Sequence, residues 1–172
     1  MLLSIALLLL LSWQAPAFGQ AVSDDQVKAA YLYNFAKFVD WPAESFTSLK
    51  APIRLCVLND RAFQSQLEQI VSGKIITGRP VLAIPVQTGE ESRDCQVLYI
   101  NASQQPRHIF DLLQGTSVLT VGETSGFLEQ GGIITFVLQG DQVHFQVNHR
   151  AATQAGLHMS SRLLSVAKAV IE

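Results

Sequence analysis

Charge is scarce in this sequence. Lysine and arginine number 12 and aspartate and glutamate 14 among 172 residues, a net charge of −2. No run of like charge exceeds two residues, so the electrostatic footprint of a nucleic-acid binder is missing. Charged residues make up 15% and apolar ones 48%, which excludes a disordered acidic or basic chain. Cysteine is scarcer still. Cys56 and Cys95 stand alone and cannot build a four-thiolate zinc site. Six prolines and eleven glycines exclude a collagen-like or linker-like chain. The phosphate loop Gly-x-x-x-x-Gly-Lys-Ser/Thr, the dinucleotide motif Gly-x-Gly-x-x-Gly and the zinc motif His-Glu-x-x-His are all absent. Ser125 lies in Thr-Ser-Gly-Phe, not in the Gly-x-Ser-x-Gly of an activated serine. His108, His144, His149 and His158 are scattered. No catalytic set, cofactor site or metal site is read from the sequence, and the expectation is a protein that is not an enzyme.

The first twenty residues carry no charge at all. Leu2 to Leu11 is an almost unbroken apolar run, followed by Pro16 and the small residues Ala17 and Gly19. The run is shorter than the roughly 20 residues of a bilayer span. Residues 1–20 are therefore expected to be a cleavable signal peptide, with an uncleaved anchor as the alternative. Residues 21–172 are expected to form a single domain, since about 100–200 residues suit one domain. Export changes the meaning of the two cysteines. In an oxidising compartment an even pair reads as a disulfide, worth on the order of 4 kcal/mol in the chain-entropy picture. Two buried free thiols are the alternative. The redox pattern Cys-x-x-Cys is absent.

Apolar periodicity sets the elements. Asp24-Asp25 opens a helix that runs to about Val39 and ends before Trp41-Pro42. Val27, Ala30, Tyr31, Phe35 and Phe38 form one stripe on it, and Ala29, Leu32, Tyr33 and Ala36 a second. A helix apolar on two sides must be covered on two sides, by its own domain or by a partner. Strands are expected over 53–58, 81–86, 96–100 and 117–121, with helices over 62–71 and 106–113 between them. Ile133 to Leu138 and Val143 to Val147 flank Gln139-Gly140-Asp141-Gln142, a hairpin signal. A closing helix is expected from Met159 to Val170. Strand–helix alternation implies a three-layer α/β fold with a mainly parallel sheet flanked by helices, and the C-terminal hairpin adds an antiparallel edge.

Ligands of open parallel sheets bind beyond the carboxyl ends of the strands. Three polar loops fall there, giving a candidate ligand rim of Asn59, Asp60, Asn101, Ser103, Thr124 and Ser125. The same residue types also serve as caps and turns. The helix offers the second candidate. Tyr31, Tyr33, Phe35 and Phe38 are expected to divide between core and an interface, with Asn34 and Lys37 reporting on the exposed face. Asn148 is expected to cap the next helix.

Two segments resemble a known family. Val27-Lys28-Ala29-Ala30-Tyr31-Leu32-Tyr33-Asn34-Phe35-Ala36-Lys37-Phe38-Val39, closed by Trp41-Pro42, resembles the opening signature of the YfiR-like family. Gly131 to Phe136, Phe145, Val147-Asn148, Ala155-Gly156-Leu157 and Ser160 to Leu164 resemble its closing signature, in the same order. The resemblance implies a small periplasmic α/β protein without enzymatic activity. It implies a homodimer that represses an inner-membrane diguanylate cyclase by binding its periplasmic sensor portion, lowering cyclic di-GMP and biofilm formation. A sensor kinase is the other membrane partner considered, and an outer-membrane lipoprotein would relieve repression. Cys56 and Cys95 fit a family-type disulfide, whereas the second cysteine pair of the best-known member has no counterpart here. A small-molecule receptor using the strand-end rim remains the alternative from a different class.

Overall fold

A computed structural model describes residues 22–172. The signal peptide expected over residues 1–20 lies outside the described residues. Helix α1 (Asp24–Phe38) begins at Ser23, whose hydroxyl accepts from the Gln26 N–H while the Gln26 side chain accepts from the Ser23 N–H. This reciprocal box satisfies two otherwise unpaired donors, and Asp24 and Asp25 lie at the positive end of the dipole. Val39 turns extended and starts the two-residue strand β1 (Val39–Asp40). Strand β2 (Ile53–Leu58) leads into α2 (Arg61–Val71), capped by Asp60. Then come β3 (Ile75–Ile76), β4 (Arg79–Val86), β5 (Val97–Ile100), α3 (Pro106–Leu112), β6 (Leu119–Gly122), β7 (Ile134–Gln139) and β8 (Gln142–Asn148). The last part of the chain holds α4 (His149–Gln154), β9 (His158–Met159), α5 (Ser161–Val166) and β10 (Ala169–Ile171).

The main sheet has the order β10-β8-β7-β6-β5-β2-β4-β3. Its centre, from β4 through β2, β5 and β6 to β7, is parallel, while β7 and β8 form the antiparallel hairpin. Gly140 holds the hairpin turn with φ +58, a left-handed value that costs glycine nothing. Alternate residues of each strand serve opposite faces. Leu55, Val57, Val97, Tyr99, Leu119, Val121, Ile134 and Phe136 pack with Leu32 and Phe35 of α1 and Phe63 and Leu67 of α2. Cys56, Leu58, Leu98 and Ile100 pack on the other face with Cys95, Ile109, Leu113 and Phe127. This is the three-layer α/β arrangement read from the sequence. Phe127 explains two glycines: a Cβ on Gly122 or Gly132 would lie 2.2 Å from its ring.

Two parts differ from expectation. The stretch from Met159 to Val170 is not one helix but β9, the short α5 and β10. Val166 is 65% exposed although the helical pattern puts it on the buried stripe. Ala167 leaves helical geometry at ψ 141, and the Lys168 N–H donates to the Phe145 carbonyl at 2.8 Å. The chain then runs parallel to β8, so the hairpin is not the sheet edge. Six residues such as Ser161–Val166 have little helical stability of their own, and pairing to β8 wins. The second difference is a separate ladder between β1 and β9, with Val39 opposite Met159 and Asp40 opposite His158. The Ser160 N–H donates to the Phe38 carbonyl at 2.9 Å. The end of α1 and the C-terminal segment, distant in sequence, are thereby adjoined.

Candidate functional site

Helix α1 gives one side to the sheet and the other to solvent. Phe35 is fully buried, and Tyr31 packs edge-on against Phe145 with ring centroids 5.4 Å apart. The Tyr31 hydroxyl donates to the Val143 carbonyl. These two rings belong to the core. Asn34 and Lys37 are exposed, and Tyr33 and Phe38 are half-buried. The Lys37 Nζ lies 5.7 Å from both the Tyr33 and the Phe38 ring centroids. The Arg162 guanidinium of α5 lies 6.0 Å from the Phe38 ring. Tyr33, Lys37, Phe38 and Arg162 thus form a mixed aromatic and cationic surface. Arg162 was not singled out in the sequence reading, because only the β1–β9 ladder brings α5 to α1.

The strand-end rim is largely bonded to itself. Asp60 caps α2 through the Phe63 N–H at 3.0 Å and accepts from the Asn101 amide at 2.9 Å. The Asn101 oxygen accepts from both the N–H and the hydroxyl of Ser103. Asn59, at φ +51, donates to the Gln87 carbonyl. Ser125 is exposed, and the buried Thr124 hydroxyl has no partner among the described residues. Beside these residues lies a cluster that sequence reasoning missed. Glu123, directly after β6, accepts from the Lys28 Nζ and from the Tyr99 hydroxyl, each at 2.6 Å. Lys28 is only 7% exposed, and Asp25 lies 3.6 Å from its Nζ. The signal was present: Lys28 lies one turn before Tyr31 of one apolar stripe and Leu32 of the other, and a charge among apolar positions needs a partner where it is buried.

Burial of Tyr99, reinforced by its hydrogen bond to the Glu123 carboxylate, holds its hydroxyl well above the ordinary tyrosine range. The unfolded chain releases this proton near pH 10, at about the ordinary value, while the folded chain keeps it. The stabilisation is therefore complete below about pH 10 and declines above it. Urea unfolding from pH 8 to 11 is expected to show that decline, and Tyr99→Phe to flatten it. An equal decline in Tyr99→Phe would assign it to other groups.

Cys56 and Cys95 form a disulfide with Cα atoms 6.0 Å apart, both cysteines being buried. It joins the middle of β2 to the entry of its neighbour β5. Such a bond belongs to an oxidising compartment.

No curated protein matches this chain significantly in sequence. Among solved structures, a conserved domain protein from Vibrio cholerae O1 biovar eltor str. N16961 aligns with a TM-score of 0.58 at 10% identity. The alignment covers 86% of this chain and 60% of that one. The ABC domain in complex with L-Trp from Streptococcus pneumonia aligns with a TM-score of 0.45 at 12% identity, covering 69% of this chain and 55% of that one. The chain therefore spans less than two thirds of the length of either structure. At such identity the first likeness is one of fold. The family comparison is more specific, because it matches residues 25–168, from the first turn of α1 to the residue before β10. It spans both the α1 surface and the disulfide, and the chain belongs to the YfiR/HmsC-like family.

Proposed function

We propose that this chain is a periplasmic regulatory protein that binds the periplasmic sensor portion of an inner-membrane diguanylate cyclase and represses it. Family membership carries the reading. The disulfide supports an exported location. The outer face of α1 supplies a surface suited to the task, since aromatic and cationic side chains dominate interface energetics when they fill pockets. We assign Tyr33, Asn34, Lys37 and Phe38 to partner contact and Tyr31 and Phe35 to the core that holds them. The cationic character of Lys37 and Arg162 favours an acidic patch on the partner. Homodimer formation and release by an outer-membrane lipoprotein belong to the same proposal. The strand-end rim is less suited to ligand capture, because Asp60, Asn101 and Ser103 already use their hydrogen-bonding groups on one another.

The test is capture of crosslinked partners from detergent-solubilised membranes with the tagged, oxidised chain, followed by mass spectrometry. Enrichment of an inner-membrane cyclase over a tag-only control is expected. Tyr33→Ala and Lys37→Glu are each expected to weaken capture about tenfold while leaving the melting curve unchanged. Capture of no membrane protein would overturn the repressor reading. Undiminished capture by both variants would move the interface off α1.

A further inference from the structure

The sheet face opposite α1 carries a cleft that no part of the regulatory reading uses. It encloses about 640 Å³ at the N-terminal ends of β2, β5 and β6. That volume falls within the range of small-molecule sites, about 300–1,000 Å³. Leu82 and Ile84 of β4 line it with Phe46, and Leu82 is 42% exposed. Arg54 of β2 also lines it, half-buried, beside the disulfide-bonded Cys95.

Arg54 is the unusual member. Its guanidinium forms no ion pair with any described residue, and none of its side-chain N–H groups has a hydrogen-bond partner among them. Its guanidinium is left to water at the cleft wall, and an anion entering the cleft would give it a charged acceptor in place of that water. Three other charged groups line the cleft, Arg93, Glu44 and Asp94, all exposed. They sum with Arg54 to zero formal charge, but the exposed charges are screened by water and salt while Arg54 is screened less. The interior of the cleft is therefore cationic at one point and apolar beside it.

The backbone of Arg54 is fixed by the buried Gln96. The Gln96 side chain accepts from the Arg54 N–H at 2.8 Å and donates to the Ser45 carbonyl at 2.9 Å. The Gln96 carbonyl accepts from the Trp41 indole at 3.1 Å. One amide residue thus ties β2, β5 and the loop after α1 into a rigid wall. The backbone from which Arg54 projects is ordered before any ligand arrives, while the guanidinium itself stays free to meet one.

We propose that this cleft binds a small anionic molecule, a carboxylate or phosphate carried on an apolar body, with Arg54 holding the anion and Leu82 and Ile84 covering the body. The site goes beyond the regulatory reading and stands without it. The probes are benzoate, phenyl phosphate and neutral benzamide, titrated into the isotope-labelled protein and followed by its backbone amide resonances. Saturable shifts at Arg54, Cys95 and Gln96 are expected with at least one of the two anions and not with benzamide. Preference between the anions identifies carboxylate or phosphate as the recognised group. Arg54→Gln is expected to weaken binding about tenfold. Leu82→Glu, at a position 42% exposed, is expected to do the same by repulsion, and serves if Arg54→Gln fails to fold. Shifts with neither anion, equal binding of benzamide, or undiminished binding by a folded variant would overturn the proposal. Membrane-partner capture by Arg54→Gln is expected to be unchanged, so failure of this site and failure of the regulatory reading are separable.

Discussion

Replacing Cys56 and Cys95 together by alanine is expected to lower stability by about 4 kcal/mol. For a domain of this size that corresponds to a fall in Tm on the order of 10 °C. The bridge closes a loop of sequence separation 39. That loop contains α2 and the strands β3 and β4, which make up one end of the sheet. In the unfolded chain the bridge removes most of the freedom of this segment, so folding has less entropy to lose. In the folded chain Cys56 and Cys95 sit among Leu58, Val86, Leu98 and Ile100. The alanine pair adds a small cavity term to the entropic loss. Thermal unfolding of the oxidised wild type, the reduced wild type and the double variant separates the two terms. Reduced wild type and double variant are expected to melt close together, both far below the oxidised protein. Oxidised and reduced protein melting together would show that loop closure contributes little, and the account of the bridge as a clamp on the β4 end would fail.

The sequence carried the centre of this fold more clearly than its ends. Strand β2 was legible from its nearly apolar run Ile-Arg-Leu-Cys-Val-Leu, and α2 was expected over 62–71, one residue short of its start, because Asp60 was read as a rim residue and the structure makes it the cap. Asn148 was legible as a cap, and it does accept from the Ala151 N–H at 2.9 Å. The C-terminal segment was not legible. Met159, Leu163, Val166 and Val170 have helical spacing, yet two strand pairings, β1 with β9 and β8 with β10, override it. Those pairings join residues more than a hundred positions apart or depend on an edge already formed, and local pattern holds no trace of them. The surface around Phe38 suffered for the same reason, since Arg162 reaches it only through that long-range ladder. Polar loops were located correctly after the strands, but composition cannot tell a loop that awaits a ligand from one bonded to itself. Asp60 and Asn101 are of the second kind.

Glu123→Leu is expected to cost about 3 kcal/mol or more, a loss comparable to that of the disulfide from a change of one side chain. The carboxylate serves two buried donors at once. Its removal leaves the Lys28 ammonium, 9% exposed at the side chain, with only the looser Asp25 contact at 3.6 Å. It also leaves the Tyr99 hydroxyl without its acceptor, under the stacked ring of Phe63 at 4.0 Å. A buried charge stripped of its partner costs more than the pair was worth, because desolvation is no longer offset. The triple replacement Lys28→Met, Tyr99→Phe, Glu123→Leu tests this asymmetry. It removes all three polar groups together and leaves only the half-exposed Asp25 without its contact, so much of the loss is expected to return. Urea unfolding of the single and triple variants reads the difference directly. If the triple variant is no more stable than Glu123→Leu, the cost lies in packing at the end of β6 and not in stranded polar groups. The cluster also links the first turns of α1 to the ends of β5 and β6, the only charged tie between that helix and the sheet among the described residues. Glu123→Leu is therefore expected to loosen the N-terminal half of α1 first, raising amide exchange at Lys28 and Ala29 before exchange at Phe35. Because Tyr33 and Lys37 ride on the same helix, a protein that keeps its fold but loses this tie should also present the surface proposed for partner contact less firmly, and under that proposal capture of a membrane partner falls with it. Unchanged capture by a folded Glu123→Leu would show that the C-terminal half of α1, held by Phe35 and the β1–β9 ladder, is sufficient to position that surface alone.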